Sequence, residues 1–192
     1  MTTLLLARHG ETDWNAQQRW QGHADTPLNE SGREQARRLA DEVERADVVY
    51  SSDLARARET AEIVGARLGL PVLVDERLRE RGFGAWEGLT MPEIEERFGD
   101  SLHRWRAGAG AGADDAEAFD AFARRVQSFV EDVVDRHPDE EVLIVAHGGT
   151  IRVIHALASG LDYARDHHAI PSVANCALAR YAFQEGKLAP ID

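Results

Sequence analysis

The stretch MTTLLLARHGETDWN (residues 1–15) decides the fold prediction, because an apolar run stops abruptly at an Arg-His-Gly sequence (residues 8–10). A second stretch, VLIVAHGGTIR (residues 142–152), has the same arrangement, with an apolar run followed by His147 and two glycines. Short apolar runs bounded by turn residues are typical of strands that are covered on both faces. The two stretches therefore predict two buried strands that end in histidines at one edge of a sheet.

Three further segments predict the rest of the sheet. Residues 47–51 and 71–74 have the same strand pattern, and residues 174–183 predict a last strand at an edge of the sheet. Helical segments lie between these strands, so the order of elements predicts the α/β class. We expect a three-layer sandwich, with a mostly parallel central sheet and helices on both faces.

Capping patterns and stop signals predict the helices. Ser31 opens a capping box with Glu34, and Thr90 opens another that is followed by Pro92. Gly69 is a stop signal for the second helix. The predicted helices lie at residues 31–45, 52–68, 115–136 and from 149 onward, with a further helix beginning at Thr90.

Length and composition bound the class of protein. The 192 residues predict a single domain over residues 1–192, with a loop or flap insertion at about residues 90–115. The Ala/Gly segment at residues 107–113 predicts a mobile loop, either a passive connection or a flap over a site. A net charge of −12 disfavours nucleic acid and anionic membranes as partners. The basic pairs Arg37-Arg38 and Arg124-Arg125 stand among acids and predict solvated helix faces.

The single cysteine, Cys176, excludes an intramolecular disulfide and a CxxC metal pair. No apolar stretch approaches the ~20 residues that span a bilayer. The first apolar run is also too short for a signal peptide, since Arg8 interrupts it. We therefore expect a cytoplasmic protein.

The two His-Gly endings predict a ligand site. In open α/β sheets, ligands bind in the crevice beyond the carboxyl ends of the strands. One isolated histidine would more often be a packing residue, but here two histidines each end a buried run and one follows Arg8. The glycines allow close approach of a ligand, and the helix after Gly149 adds amide donors that favour an anion.

The same residues carry a family resemblance. The sequence Arg-His-Gly-Glu-Thr, followed by Trp-Asn (within residues 8–15), resembles the signature of the histidine phosphatase superfamily, which includes the cofactor-dependent phosphoglycerate mutases. SSDLARARETA (51–61), RLRERGFGAWEG (77–88) and AHGGTIR (146–152) are similar to the family's later blocks, in the family's order. The resemblance covers both halves of the chain.

The resemblance implies phosphoryl transfer through a phosphohistidine. It identifies His9 as the nucleophile, whose second ring nitrogen needs an acceptor such as the Gly10 carbonyl. It implies that Arg8 and Arg56 clamp the phosphoryl group with protonated His147, and that Glu80 is the acid and base. Arg58 is the alternative to Arg56, but it is placed to pair with Glu62 instead. The expected substrate contacts are Arg8, Asn15, Gln21, Gly22, Arg56, Glu80, His147 and Gly148.

The resemblance implies no metal and no cofactor, because arginines and His147 neutralise the phosphoryl charge. A metallohydrolase is the alternative, since the chain has eight histidines, but no HExxH or comparable spacing occurs. His155, His167 and His168 are therefore predicted to be surface or packing residues. A non-catalytic phosphate-binding adaptor is a further alternative, disfavoured because all five catalytic candidates are present.

The third block distinguishes a phosphatase from a mutase. Mutases of this family have His-Tyr after the glutamate-arginine pair, whereas Gly82-Phe83 stands here, and Met91 occupies the place of a mutase lysine. The block is more similar to broad-specificity and α-ribazole phosphatases. The segment GADDAEAF (112–119) departs from that branch's usual Gly-Glu-Ser motif and leaves the substrate open.

The expected partner is a small-molecule phosphate ester, with no nucleic acid and no membrane. A homodimer is compatible with the sequence, which does not decide the oligomeric state. Phe83, Trp86 and Trp105 are candidates for an apolar wall of the pocket, with core packing as the alternative for each.

Overall fold

The structure is a computed structural model that describes residues 1–108 and 110–191. Ala109, in the segment predicted to be a loop or flap, lies outside the described residues, as does Asp192. None of the helices in the described part of the chain combines the length and the apolar character needed to cross a membrane.

The strands of the described chain form one mixed sheet in the order β3-β2-β4-β1-β5-β6. The first four strands in this order run parallel, and β5 lies antiparallel to both of its neighbours. The strands are β1 (Thr2–Arg8), β2 (Val48–Ser51), β3 (Val72–Val74), β4 (Glu141–Ala146), β5 (Leu178–Gln184) and β6 (Lys187–Ile191).

Helices cover both faces of this sheet, so the predicted three-layer α/β fold is confirmed. Alternate residues of β1 face opposite ways: Leu4 and Leu6 pack in one core cluster with α5 and α6, and Leu5 packs in the other with α2 and α3. The helices are α1 (Asp13–Ala16), α2 (Glu30–Glu42), α3 (Ala55–Leu68), α4 (Met91–Arg106), α5 (Phe119–Arg136), α6 (Gly148–Ser159) and α7 (Tyr163–Asp166).

The prediction of the last strand was wrong in two respects. Residues 174–177 lie outside any strand, and β5 lies between β1 and β6 rather than at an edge. The cause is a two-residue turn, Glu185-Gly186, in which both residues have positive φ (+53° and +75°). Such a turn matches the twist of a hairpin and returns the chain as the edge strand β6, whose Pro190 is tolerated there.

The predicted helix boundaries are confirmed in part. Thr90 forms the predicted capping box with Glu93, and Gly69 ends α3 in the left-handed conformation. The capping box at Ser31 was wrong, because the Asn29 side chain accepts a hydrogen bond from the Gly32 amide and caps the helix two residues earlier.

The parallel pairing of β1 with β4 aligns their carboxyl ends. Arg8 is in register with Ala146, so the residues that follow each strand leave the sheet side by side. The His9 amide donates to the Ala146 carbonyl at 2.9 Å and continues the pairing by one residue. The fold thus places His9 and His147 at one edge of the sheet, as the sequence predicts.

Candidate active site

His9 and His147 are neighbours at the end of the sheet. Their ring centroids are 5.2 Å apart, and the rings are tilted by 59°. Their exposed fractions are 3% and 0%. Arg8 and Arg56 lie beside them, and we call these four residues the histidine–arginine cluster.

A hydrogen bond fixes the tautomer of His9. Its Nδ1 lies 2.7 Å from the Gly10 carbonyl oxygen. A carbonyl only accepts, so Nδ1 carries the hydrogen and Nε2 holds the free lone pair. Burial, followed by the charges of Arg56 and Arg8, lowers the pKa of His9 well below its ordinary value. His9 is therefore a neutral imidazole with a nucleophilic nitrogen.

Thr60 holds the Gly10 peptide in place. The Gly10 amide donates to Thr60 Oγ1 at 3.0 Å, and Thr60 Oγ1 donates to the Arg56 carbonyl at 2.7 Å. Gly10 is itself packed so closely that an added Cβ would lie 2.4 Å from the Gly32 carbonyl oxygen. A hydrogen-bonded chain thus runs from α3 through Thr60 and Gly10 to the ring of His9.

Arg56 is fully buried on the first turn of α3. Its Nη1 donates to the Ala24 carbonyl at 2.8 Å, and its Nη2 donates to the Gly22 carbonyl at 2.7 Å. Burial lowers the pKa of Arg56 to about 10, so its guanidinium stays charged at neutral pH. Arg58 is exposed and pairs with Glu62 at 2.8 Å, as the sequence predicts.

Arg8 and Glu80 face the cluster from two further segments. Arg8 Nη1 donates to the Val173 carbonyl at 2.6 Å. Glu80 Oε2 accepts from the Gly149 amide at 3.0 Å, in the first turn of α6. Glu80 Oε1 accepts from the Arg81 amide at 2.8 Å. A Cβ on Gly149 would lie 2.1 Å from Glu80 Oε1, so an alanine there would displace the Glu80 carboxylate.

His147 has two buried ring nitrogens without a hydrogen-bond partner among residues 1–108 and 110–191. Burial lowers the pKa of His147 well below its ordinary value, and the Arg56 charge lowers it further. His147 in this structure is therefore a neutral imidazole with one N–H to donate, and a protonated His147 beside a phosphoryl group stays a prediction. A phosphoryl dianion beside it would raise that pKa again, because opposite charge favours the protonated form.

The cluster opens onto a cleft of about 290 Å³. Asn15 is fixed by the capping box at Thr12, and Gln21 accepts from the hydroxyls of Thr12 and Thr26 at 3.0 and 2.6 Å. Gly22 has a positive φ of +53°, which places its carbonyl against Arg56. The lining residues are Arg8, His9, Asn15, Gln18, Arg19, Trp20, Gln21, Gly22, Arg56, Glu80 and Phe83.

A second cavity, of about 210 Å³, shares Arg8, Trp20, Glu80 and Phe83 with the cleft. We call it the aromatic compartment. Its further lining residues are Arg81, Trp105, Phe119, Gly148, Gly149, Arg152, Tyr163, His167, Ser172 and Val173.

Two of the three aromatic residues singled out in the sequence line the aromatic compartment. Phe83 and Trp105 each contact Trp20 edge-to-face, with ring centroids 4.5 and 5.6 Å apart. Trp86 is fully buried beneath them and belongs to the core.

Of the three histidines predicted to be surface or packing residues, His168 is exposed, and His155 and His167 pack against aromatic rings. His155 Nδ1 contacts the Tyr181 hydroxyl at 2.9 Å, and His167 stacks on Phe119 with a centroid distance of 4.1 Å. Within the described ranges, no group of three or more His, Cys, Asp or Glu side chains is arranged to hold a metal ion.

The prediction of a solvated Arg124-Arg125 pair was wrong for Arg125. Its guanidinium donates to the carbonyls of Arg77, Arg79 and Glu80 at 2.7 to 2.8 Å and pairs with Glu117 at 2.7 Å. Glu117 also accepts from the Gly82 amide at 3.1 Å. Glu117 belongs to the segment that departs from the family pattern (112–119). Its carboxylate thus holds the loop that carries Glu80, which we call the Glu80 loop.

Asn175 is another contributor that sequence reasoning missed. Its Nδ2 donates to the His9 carbonyl at 2.9 Å and to Asn15 Oδ1 at 3.4 Å. Asn175 lies directly before Cys176, and the positive φ of Cys176 (+54°) indicates a tight turn there. No motif in the sequence marks Thr60 or Asn175 for this role.

Comparison with known proteins identifies the family. The profile of the histidine phosphatase superfamily (branch 1) matches residues 4–190. The chain is 34% identical over 189 residues to the uncharacterized phosphatase PhoE of Bacillus subtilis, covering 97% of this chain and 91% of that protein.

Two solved structures are similar over nearly their whole length. YhfR from Bacillus stearothermophilus superposes with a TM-score of 0.90 at 34% identity, covering 99% of this chain and 95% of that one. A mycobacterial glucosyl-3-phosphoglycerate phosphatase in complex with VO3 gives 0.89 at 34% identity, covering 98% and 96%. The chain belongs to the histidine phosphatase superfamily. It is a phosphatase of that superfamily, an enzyme that hydrolyses phosphate esters.

Proposed function

We propose that the chain hydrolyses small-molecule phosphate monoesters through a phosphohistidine on His9, without a metal ion. The observation that supports this most is the fixed tautomer of His9: Nδ1 is held by the Gly10 carbonyl, and Nε2 keeps its lone pair beside Arg8 and Arg56. Phosphoryl transfer depends mainly on positioning and electrostatics, and these residues supply both.

In the first step, the Nε2 lone pair of His9 attacks phosphorus as the bond to the leaving oxygen breaks. The charge on the three equatorial oxygens is met by Arg8, Arg56 and an N–H of His147. Asn15, Gln21, Gly22 and Gly148 complete the proposed contacts.

Glu80 handles the protons in this proposal. Its carboxyl proton passes to the leaving oxygen, which departs as an alcohol. In the second step the Glu80 carboxylate takes a proton from water, the water oxygen bonds to phosphorus, and the P–N bond to His9 breaks. Inorganic phosphate and the starting enzyme are the products.

The direct test is turnover of 4-nitrophenyl phosphate in the presence of a chelator, by wild type and His9→Ala. We expect chelator-resistant turnover by wild type and a loss of about 10³-fold or more in the variant. His155→Ala is the matched control, because His155 contacts Tyr181 rather than the cleft. An acid-labile ³²P label on wild type, absent from His9→Ala, would identify the intermediate.

The other outcomes separate the alternatives. Chelator-sensitive turnover would favour the metallohydrolase, and no turnover by a folded wild type would favour a phosphate-binding adaptor. Interconversion of phosphoglycerates, stimulated by the bisphosphate, would favour a mutase.

The proposal also covers the domain organisation, the partners and the location of the protein. One domain over residues 1–192 acts on a small-molecule ester, and the net charge of −12 disfavours nucleic acid and anionic membranes as partners. A single cysteine fits the reducing cytoplasm. Light scattering on the purified protein measures its mass and so tests whether it forms a homodimer.

A further inference from the structure

The aromatic compartment combines flat apolar walls with concentrated positive charge. Trp20, Phe83, Trp105 and Phe119 supply the walls. Arg8, Arg81 and Arg152 line the same space, and Glu80 is the one acidic side chain among the lining residues of the described chain. In a protein with a net charge of −12, this is a local reversal of charge.

The positive charge of the three arginines is not neutralised by their hydrogen-bond partners, because these partners are main-chain carbonyls. Arg8 donates to the Val173 carbonyl at 2.6 Å, and Arg81 donates to the carbonyls of Ala111 and Glu117 at 2.6 and 2.9 Å. Arg152 donates to the His167 carbonyl. Main-chain carbonyls position a guanidinium without neutralising it, so an anion in the compartment would meet charges that are already desolvated.

Several donors around the compartment have no partner in the described part of the chain. They are the Nε atoms of Arg8 and Arg152 and Nε1 of Trp105, all buried. Buried polar groups are nearly always hydrogen-bonded, so these atoms indicate a ligand that brings acceptors.

From this we infer that the alcohol part of the substrate carries a carboxylate beside a flat apolar face. The inference rests on the proposed function, since the cleft and the compartment share Arg8 and Glu80 and one ester would occupy both. The phosphoryl group would lie at the histidine–arginine cluster and the carboxylate near Arg152. A cationic alcohol part would be repelled by the same three arginines.

The test compares three esters that differ only at the meta position of one ring: phenyl phosphate, 3-carboxyphenyl phosphate and 3-(aminomethyl)phenyl phosphate. We expect wild-type kcat/KM to be about tenfold higher for the carboxylated ester than for the plain one, as for one charge-assisted contact. The cationic ester should be the poorest substrate.

Arg152→Met should reduce the preference for the carboxylated ester to within about twofold. Arg180→Met, which removes an exposed arginine on β5, should keep the wild-type preference. Trp105→Phe preserves the aromatic wall and removes only Nε1–H, so it should lower the preference by a smaller factor. If Arg152→Met unfolds the chain because the contact to His167 is lost, Trp105→Phe still tests the inference.

Equal kcat/KM for all three esters, or a preference for the cationic one, would overturn the inference and leave the proposed function standing. Hydrolysis of none of them, together with no phosphorylation of His9, would overturn the proposed function itself.

Discussion

The histidine–arginine cluster and the aromatic walls of the compartment are built from different parts of the fold, although Arg8 belongs to the cluster and also lines the compartment. His9 and His147 directly follow β1 and β4, and Arg56 is in the first turn of α3. Trp105 comes from the end of α4, which is kinked at Phe98 (φ −132°, ψ 32°). Phe119 begins α5, whose N-cap lacks a side-chain hydrogen bond.

The two regions also differ in how their side chains are held. Each ring or guanidinium of the cluster lies beside the sheet, and His9, Arg8 and Arg56 are fixed by main-chain carbonyls. The walls of the compartment hold each other through ring contacts. We infer from this difference that chemistry and recognition are separable, because the aromatic walls can change by substitution in connecting segments without moving the strand ends.

The largest effect is expected for Arg56→Met. A buried charge beside the phosphoryl position would be lost, and kcat/KM should fall about 10²–10³-fold, as for a single oxyanion donor. Arg58→Met, two residues away on the same helix, removes an exposed ion pair and should change kcat/KM less than about twofold. Steady-state kinetics with 4-nitrophenyl phosphate measure both, and equal effects of the two substitutions would contradict the assignment.

The second effect is expected for Gly149→Ala. The new methyl group would lie 2.1 Å from Glu80 Oε1 and would push the carboxylate away from the leaving oxygen, so kcat should fall about 10²-fold. Gly148→Ala is the matched variant, since its methyl group would first meet Arg8 at an ordinary 3.8 Å and should cost much less. A leaving group as good as 2,4-dinitrophenol should shrink the Gly149→Ala defect, and an undiminished defect would rule out displacement of the acid.

The third effect concerns Thr60, which acts through Gly10 on the ring of His9. Thr60→Val keeps the shape but leaves the Gly10 amide without its acceptor, and kcat should fall about tenfold. Thr60→Ser restores the hydroxyl and should restore kcat. A purely structural role would lower the melting temperature of the Val variant without moving the pH profile of kcat, whereas a positioning role moves that profile.

The cluster was predictable from the sequence, and the compartment was only partly so. His9 and His147 stand at strand ends, where period and turn signals are strong. Arg56 was preferred to Arg58 because of the family resemblance, since periodicity does not choose between them. The α/β fold followed from the same apolar runs. The hairpin that makes β6 was missed, because Glu185 gives no glycine-like signal for its positive φ.

Arg125 shows why the rest could not be predicted. In the sequence it is one basic residue on an acidic helix, and only the fold brings it to three carbonyls of the Glu80 loop. Thr60 and Asn175 are likewise positioned by contacts over long sequence separations. Such contacts depend on tertiary packing, which periodicity and capping patterns do not encode.

A smaller effect is expected on the pH dependence of folding. His9 and His147 have lowered pKa values in the folded chain, so below about pH 6.5 the unfolded chain binds protons that the folded chain does not. Their contribution to stability is present above that pH and is lost as pH falls toward the lowered pKa values. The free energy of unfolding should therefore fall from pH 6.5 to 5.5, by up to about 1.4 kcal/mol for each histidine.

Urea denaturation at both pH values measures this loss, and His147→Asn should reduce it. His155→Asn, a histidine outside the cluster, is the control. An equal loss in wild type and His147→Asn would show that the buried imidazole does not carry the effect.

The smallest effect concerns the start of α5, where Phe119 contributes to the aromatic compartment. Ala118 occupies the N-cap position with extended backbone (φ −64°, ψ 142°) and offers no side-chain acceptor to the first-turn amides. Ala118→Ser should supply one and raise the free energy of unfolding by about 0.5–2 kcal/mol, which calorimetry would record as a higher melting temperature. Ala118→Val, which adds bulk without an acceptor, should give no gain. Because the cluster lies on other elements, kcat with phenyl phosphate should stay within about twofold of wild type in Ala118→Ser. A large change in kcat would mean that the two regions are coupled, and the separation of chemistry from recognition would fail.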